Sequence, residues 1–155
     1  MDWLYSLSGS GRFANAFKII SIKDDSPYLK YFLDFYKQEI IKFFPDADMI
    51  RKIQEGRENS VNLIILRNAA VAGIFIGQKS EDSIMVDLDF VIPEFRDFKT
   101  GQFLFGHSHD TFKKLRVKSI CSNSFSPEYL QYLERIGFKK QTTAAGEEVC
   151  EKTIA

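Results

Sequence analysis

Apolar residues in this chain follow two rhythms. Leu29, Phe32, Leu33, Tyr36, Ile40, Phe43 and Phe44 recur at spacings of three and four, which is the stripe of an amphipathic helix. Ser26-Pro27 supplies its start, a hydroxyl N-cap followed by a proline at the first helical position, and Pro45 stops it. The same spacing predicts a helix over 99–115, with Leu104, Ser108, Phe112 and Leu115 on its inner face. A shorter helix is expected over 48–54, ending at Gly56, and another from Ser126-Pro127 to Gly137. The second rhythm is that of strands: 17–22, 61–66, 70–76, 83–92, 117–122, 138–141 and 148–153. Arg67-Asn68 and 79–82 read as turns, so the three middle runs form an antiparallel meander. The short step from the 99–115 helix into 117–122 implies a β-α-β crossover, and hence parallel pairing with the 83–92 strand. The fold class is therefore α/β: one mixed central sheet of about six to seven strands, flanked by about four helices. The strand that ends at Ile92 lies at the centre of that sheet.

Composition narrows the class. With 155 residues, of which 45% are hydrophobic and fifteen are Phe, the chain can build one aromatic-rich core. Lys plus Arg equals Asp plus Glu at 21 each, so no electrostatic footprint for nucleic acid is expected. No apolar run reaches the ~18 residues that a membrane span needs. Two cysteines without ligand-like neighbours suggest reduced structural thiols and a cytoplasmic setting, with no metal site. The opening residues are apolar but lack a basic start, and Ser8-Gly9-Ser10-Gly11 follows them. Residues 1–12 are thus expected to be a flexible N-terminal segment, or the tail of something larger, with the compact domain covering 13–155.

The stretch from Val91 to Leu104 carries the most chemistry. A strand passes through Pro93 into a short polar loop and then into a helix. The first amides of a helix lack intrahelical partners and carry the positive end of its dipole, so this corner is suited to a phosphate. The residues of the corner and those downstream resemble the GNAT superfamily of acyl-CoA N-acyltransferases. The family's loop signature reads Arg or Gln, two residues, Gly, one residue, then Gly or Ala. Its register falls here on Arg96-Asp97-Phe98-Lys99-Thr100-Gly101, preceded by a family-like Val91-Ile92-Pro93-Glu94-Phe95. Tyr129 to Phe138, ending in Ile136-Gly137-Phe138, resembles the family's second signature. The resemblance runs from about residue 17 to the end. It implies a GNAT-like acyltransferase domain that takes acetyl-CoA or another acyl-CoA as co-substrate and a small-molecule or peptide amine as acceptor. Its implied cofactor-binding residues are Val91, Arg96, Asp97, Phe98, Lys99, Thr100, Gly101 and Gln102. Lys99 stands where the family places its first glycine.

Acyl transfer from a thioester to an amine calls for a base to take the amine's proton, a polarised carbonyl and a proton for the departing thiolate. Asp87 and Asp89 alternate with apolar residues, so simple period-two geometry puts both carboxylates on one face, where proximity would raise one pKa. The resemblance makes Asp87 the first candidate base and Asp89 the second; a solvated face or ion pairs with a neighbouring strand are the alternatives. The family's proton-donating tyrosine falls at Leu133 in this chain, which leaves Tyr129, one turn earlier, as the substitute. Ser126 occupies a family cofactor position but is explained as a helix cap.

His107 and His109, two apart on a helix, cannot share a metal, and Cys121 and Cys150 read as core thiols. The aromatic excess of the first helix, Tyr28 to Tyr36, fits core packing, an acceptor wall or a homodimer contact. Departures at Lys99, Ser126 and Leu133 keep a second reading open: a non-catalytic acyl-CoA-binding or regulatory domain of the same fold. A structural domain docking through its aromatic helix is a third.

Overall fold

The computed structural model describes residues 16–44, 47–56, 58–96, 99–123 and 126–154. The proposed 1–12 segment and the site candidates Asp97 and Phe98 lie outside them. The chain runs β1 (Phe17–Ser21), α1 (Pro27–Phe35), α2 (Lys37–Phe43), α3 (Ala47–Glu55), β2 (Ser60–Arg67), β3 (Ala70–Ser80), β4 (Ser83–Val91) and a 3-10 turn (Pro93–Phe95). It continues with α4 (Lys99–Gly106), α5 (His109–Lys114), β5 (Ser119–Ser122), α6 (Pro127–Arg135), β6 (Lys139–Thr142) and β7 (Glu148–Thr153).

The seven strands form one sheet in the order β1-β2-β3-β4-β5-β7-β6, with β4 at the centre as the apolar pattern implies. Every pairing is antiparallel except β4 with β5, the crossover pair. Cross-strand neighbours mark the two faces. Phe75 on β3 packs against Phe105 and Phe112 of α4 and α5, while Phe90 on β4 packs against Phe32 of α1 and Tyr36. Each face of the sheet is thus closed by helices, and burial of these rings supplies the core.

Two of the four expected helices are each broken in two, giving six among the described residues. The 26–44 stripe breaks at Tyr36, whose backbone leaves helical geometry with φ −99° and ψ 12° while its N–H still bonds to the Phe32 carbonyl. Its ring packs on Phe32, Phe35 and Phe90. The apolar spacing runs unchanged through that break, so periodicity alone does not reveal it. The 99–115 helix breaks after Gly106, a poor helix former. Ser108 then donates its hydroxyl to the Phe103 carbonyl at 3.1 Å, beside the His107 N–H that bonds to the same oxygen at 2.9 Å. Ser126 caps α6 as expected, its Oγ accepting from the Tyr129 N–H at 3.2 Å.

Candidate functional site

The site grows from an interruption in β4. Along β3, Ile76 pairs with Leu88 and the next residue, Gly77, pairs with Val86, so Asp87 is an extra residue in the ladder, a β-bulge. Bulges bend a strand and end its pairing. The parallel ladder to β5 covers only Ser83–Met85 against Ser119–Cys121, while β4 continues to Val91. The ladder ends at Met85, and the last residues of β4 beyond it help to line a cavity of about 190 Å3.

The cavity is walled by Asp89, Phe90 and Val91 of β4, Phe95 and Arg96 of the turn, and Thr100 and Gly101 of α4. Phe43 and Phe44 close another side, and α6 adds Glu128, Tyr129 and Tyr132. The strand-to-helix corner read from sequence is therefore part of the cavity. The bulge interrupts the alternation on which a shared face depended, and only Asp89 is a cavity wall, although both are buried. Tyr129 donates its hydroxyl to Asp89 Oδ2 at 3.0 Å. Burial pushes the Asp89 carboxyl up to about 7, with the Tyr129 hydrogen bond pulling the other way. Burial, then the neighbouring Asp89 charge, raises Tyr129 well above the usual phenol value. Tyr132 is raised by the same two causes.

The corner itself departs from expectation at Gly101. A side chain there would collide with the Tyr132 hydroxyl. The close approach that requires glycine in this structure is therefore made by a tyrosine of α6. A role in filling a gap between two helices leaves no periodic signal, so spacing along the chain does not single out Tyr132. Thr100 is buried beside the cavity, and among the described residues its hydroxyl has no hydrogen-bond partner. Lys99 and Gln102 are exposed at the start of α4. Arg96 folds back, its Nε donating to the Val91 carbonyl at 2.8 Å and its guanidinium lying over the rings of Phe43 at 4.7 Å and Phe90 at 5.2 Å. Burial lowers the Arg96 pKa, and Glu39 and Glu94 oppose that shift.

The donor set suits an anionic, amide-bearing group in two respects. The unsatisfied Thr100 hydroxyl points to a missing polar partner, and it sits in the first turn of an eight-residue helix whose dipole favours negative charge. Other candidates stand apart. Tyr28, Tyr31 and Phe35 face outward, 76%, 70% and 66% exposed, and none is a cavity wall. Cys121 is pushed up to about 11, chiefly by burial, and Cys150 is buried and also raised, so neither is an activated nucleophile. His107 is exposed. Among the described residues no helix is long and apolar enough to cross a membrane.

No family model matches this chain, and no curated protein matches it. Solved structures do. An acetyltransferase of the GNAT family from Staphylococcus aureus matches 90% of this chain and 100% of its own, with a TM-score of 0.67 at 13% identity. The ribosomal-protein-S18-alanine N-acetyltransferase of Escherichia coli matches with a TM-score of 0.58 at 17% identity, covering 90% of this chain and 94% of its own. Spermidine N-acetyltransferase from Vibrio cholerae gives 0.60 at 10% identity, with the same two coverages of 90% and 94%. At such identities the likeness is one of fold. This chain has the fold of the GNAT acyl-CoA N-acyltransferases.

Proposed function

We propose that this chain is an acyl-CoA-dependent N-acyltransferase, with acetyl-CoA as its donor, that acts by direct transfer to an amine. The observation that carries this reading is the Asp89–Tyr129 pair, buried in the gap where β4 leaves β5. The bound donor supplies an acyl group activated as a thioester. Thr100, with the first-turn amides and Lys99 of α4, would hold its anionic end. Asp89 is the base: with a pKa of about 7 it is part ionised at neutral pH and takes the proton that the attacking amine loses. Once protonated, Asp89 becomes the donor in its hydrogen bond with Tyr129, and the phenol proton is released toward the thiolate as Tyr129 accepts the other. This relay avoids a free phenolate, which the raised Tyr129 pKa makes unfavourable. The C–N bond forms, the C–S bond breaks, and the amine proton ends on sulfur. Two free thiols, Cys121 and Cys150, support a reducing, cytoplasmic setting.

A non-catalytic domain of the same fold is the second reading, and one observation favours it: the Tyr132 hydroxyl lies against Gly101 at the corner where a diphosphate would approach. Calorimetry with acetyl-CoA and CoA tests both. Micromolar affinity together with thiol release in the presence of amines supports the transferase. Affinity that appears only in Tyr132→Leu favours the second reading, and no affinity in either chain removes the donor site.

A further inference from the structure

The same cavity carries information about its second substrate. Its volume, about 190 Å3, exceeds the ~150 Å3 apolar cavity that accommodates a benzene molecule. It is therefore larger than an acetyl group requires and suits a body of ring size. Half of its wall residues are aromatic, Phe43, Phe44, Phe90, Phe95, Tyr129 and Tyr132, while Val91, Arg96, Thr100 and Gly101 form the side that faces the donor corner. Phe44 and Tyr129 meet edge to face at 4.9 Å, and Tyr129 and Tyr132 stack at 5.7 Å, so these walls are mutually braced.

Charge within the cavity is also ordered. Asp89 lies buried among the rings, and Glu128 adds a second carboxylate on an exposed residue. The one guanidinium among the walls is laid over Phe43 and Phe90, with its Nε committed to Val91. An ammonium or amine nitrogen has partners here in Asp89, Glu128 and the ring faces. A hydrocarbon acyl chain gains the ring contacts but lies against a part-ionised carboxylate that it cannot hydrogen-bond, which is unfavourable. A polyamine needs carboxylates spaced along an extended groove, whereas these walls present one ring-sized chamber.

We infer that the acceptor is a primary amine borne on a compact aromatic or alicyclic body, seated among Phe43, Phe44, Phe90 and Phe95 with its nitrogen at Asp89. This rests on the transferase reading for the reaction, but the binding of the ring does not. The test uses the intact chain with 2-phenylethylamine, ethylamine and spermidine, following binding by calorimetry with and without CoA, and transfer by thiol release from acetyl-CoA and hexanoyl-CoA.

The expected result is that 2-phenylethylamine binds at least about tenfold more tightly than ethylamine, that CoA does not displace it, and that acetyl transfer to it exceeds transfer to ethylamine or spermidine by about thirtyfold in kcat/KM. Equal use of all three amines overturns the inference and leaves the transferase standing. Displacement of 2-phenylethylamine by CoA, or faster transfer to ethylamine from hexanoyl-CoA than from acetyl-CoA, also overturns it by giving the chamber to the donor. Ring-selective binding with neither CoA affinity nor transfer keeps the amine site and removes the transferase.

Discussion

Asp24 and Asp89 are both carboxylates set against β-strands, and their surroundings assign them opposite roles. Asp24, just after β1, accepts from the Ser60 hydroxyl at 2.8 Å and from the Asn62 amide at 2.6 Å, so its charge is matched by fixed donors. Asp89 is more deeply buried and has one hydroxyl, that of Tyr129, at 3.0 Å. Donors bonded to the charged form favour it, whereas burial without enough of them favours the neutral acid. The number of donors thus separates a carboxylate that ties the turn after β1 to β2 from one whose burial holds its pKa up at about 7.

The largest effect expected from this contrast is in turnover. Asp89→Asn should lower acyl transfer by about 10²–10⁴-fold while leaving CoA affinity unchanged, as followed by thiol release and calorimetry. An activity loss matched by lost donor affinity would move Asp89 from chemistry to binding. Next comes stability. Because the folded-state pKa of Asp89, about 7, lies above the ordinary aspartate value of 3.8, the fold retains a proton that the unfolded chain gives up. The associated stabilisation is complete below about pH 4 and is lost as pH rises to about 7, a fall on the order of 4 kcal/mol. Urea unfolding across that range should reveal the slope in the parent chain and its absence in Asp89→Asn.

Asp24→Ala gives the reverse pattern. It strands the Ser60 and Asn62 donors and should cost about 1–3 kcal/mol in urea unfolding without changing kcat per folded molecule. The smallest effect concerns the position of a titration. Tyr129 holds the Asp89 pKa down, so in Tyr129→Phe the ascending limb of kcat/KM against pH should move to higher pH. A limb that stays in place would separate the rate-controlling base from Asp89.

Much of the fold was legible in the chain. Strand and helix rhythms, the Ser-Pro caps and the crossover into residues 117–122 all depend on local spacing, and the β4–β5 parallel pair follows from them. What sequence could not show depends on events across strands and between helices. The bulge at Asp87 exists only relative to the register of β3, so no pattern within the strand itself reveals it. The contact between Asp89 and Tyr129 joins residues forty apart in the chain, which local spacing does not reveal either. At Gly101 the group that approaches the backbone closely is Tyr132, from another helix. Lys99, which stands where the family places its first glycine, is exposed at the start of α4.

The brevity of the β4–β5 ladder has a mechanical consequence. Three residue pairs join one half of the sheet to the other, and across that seam Phe75, Phe105 and Phe138 meet edge to face at 5.8 and 5.0 Å. The width of the opening is therefore governed by the bulk of packed rings more than by main-chain bonds. Substitutions of modest size at those rings can open or narrow it without slipping any strand, which gives evolution a dial for substrate girth that leaves the architecture untouched.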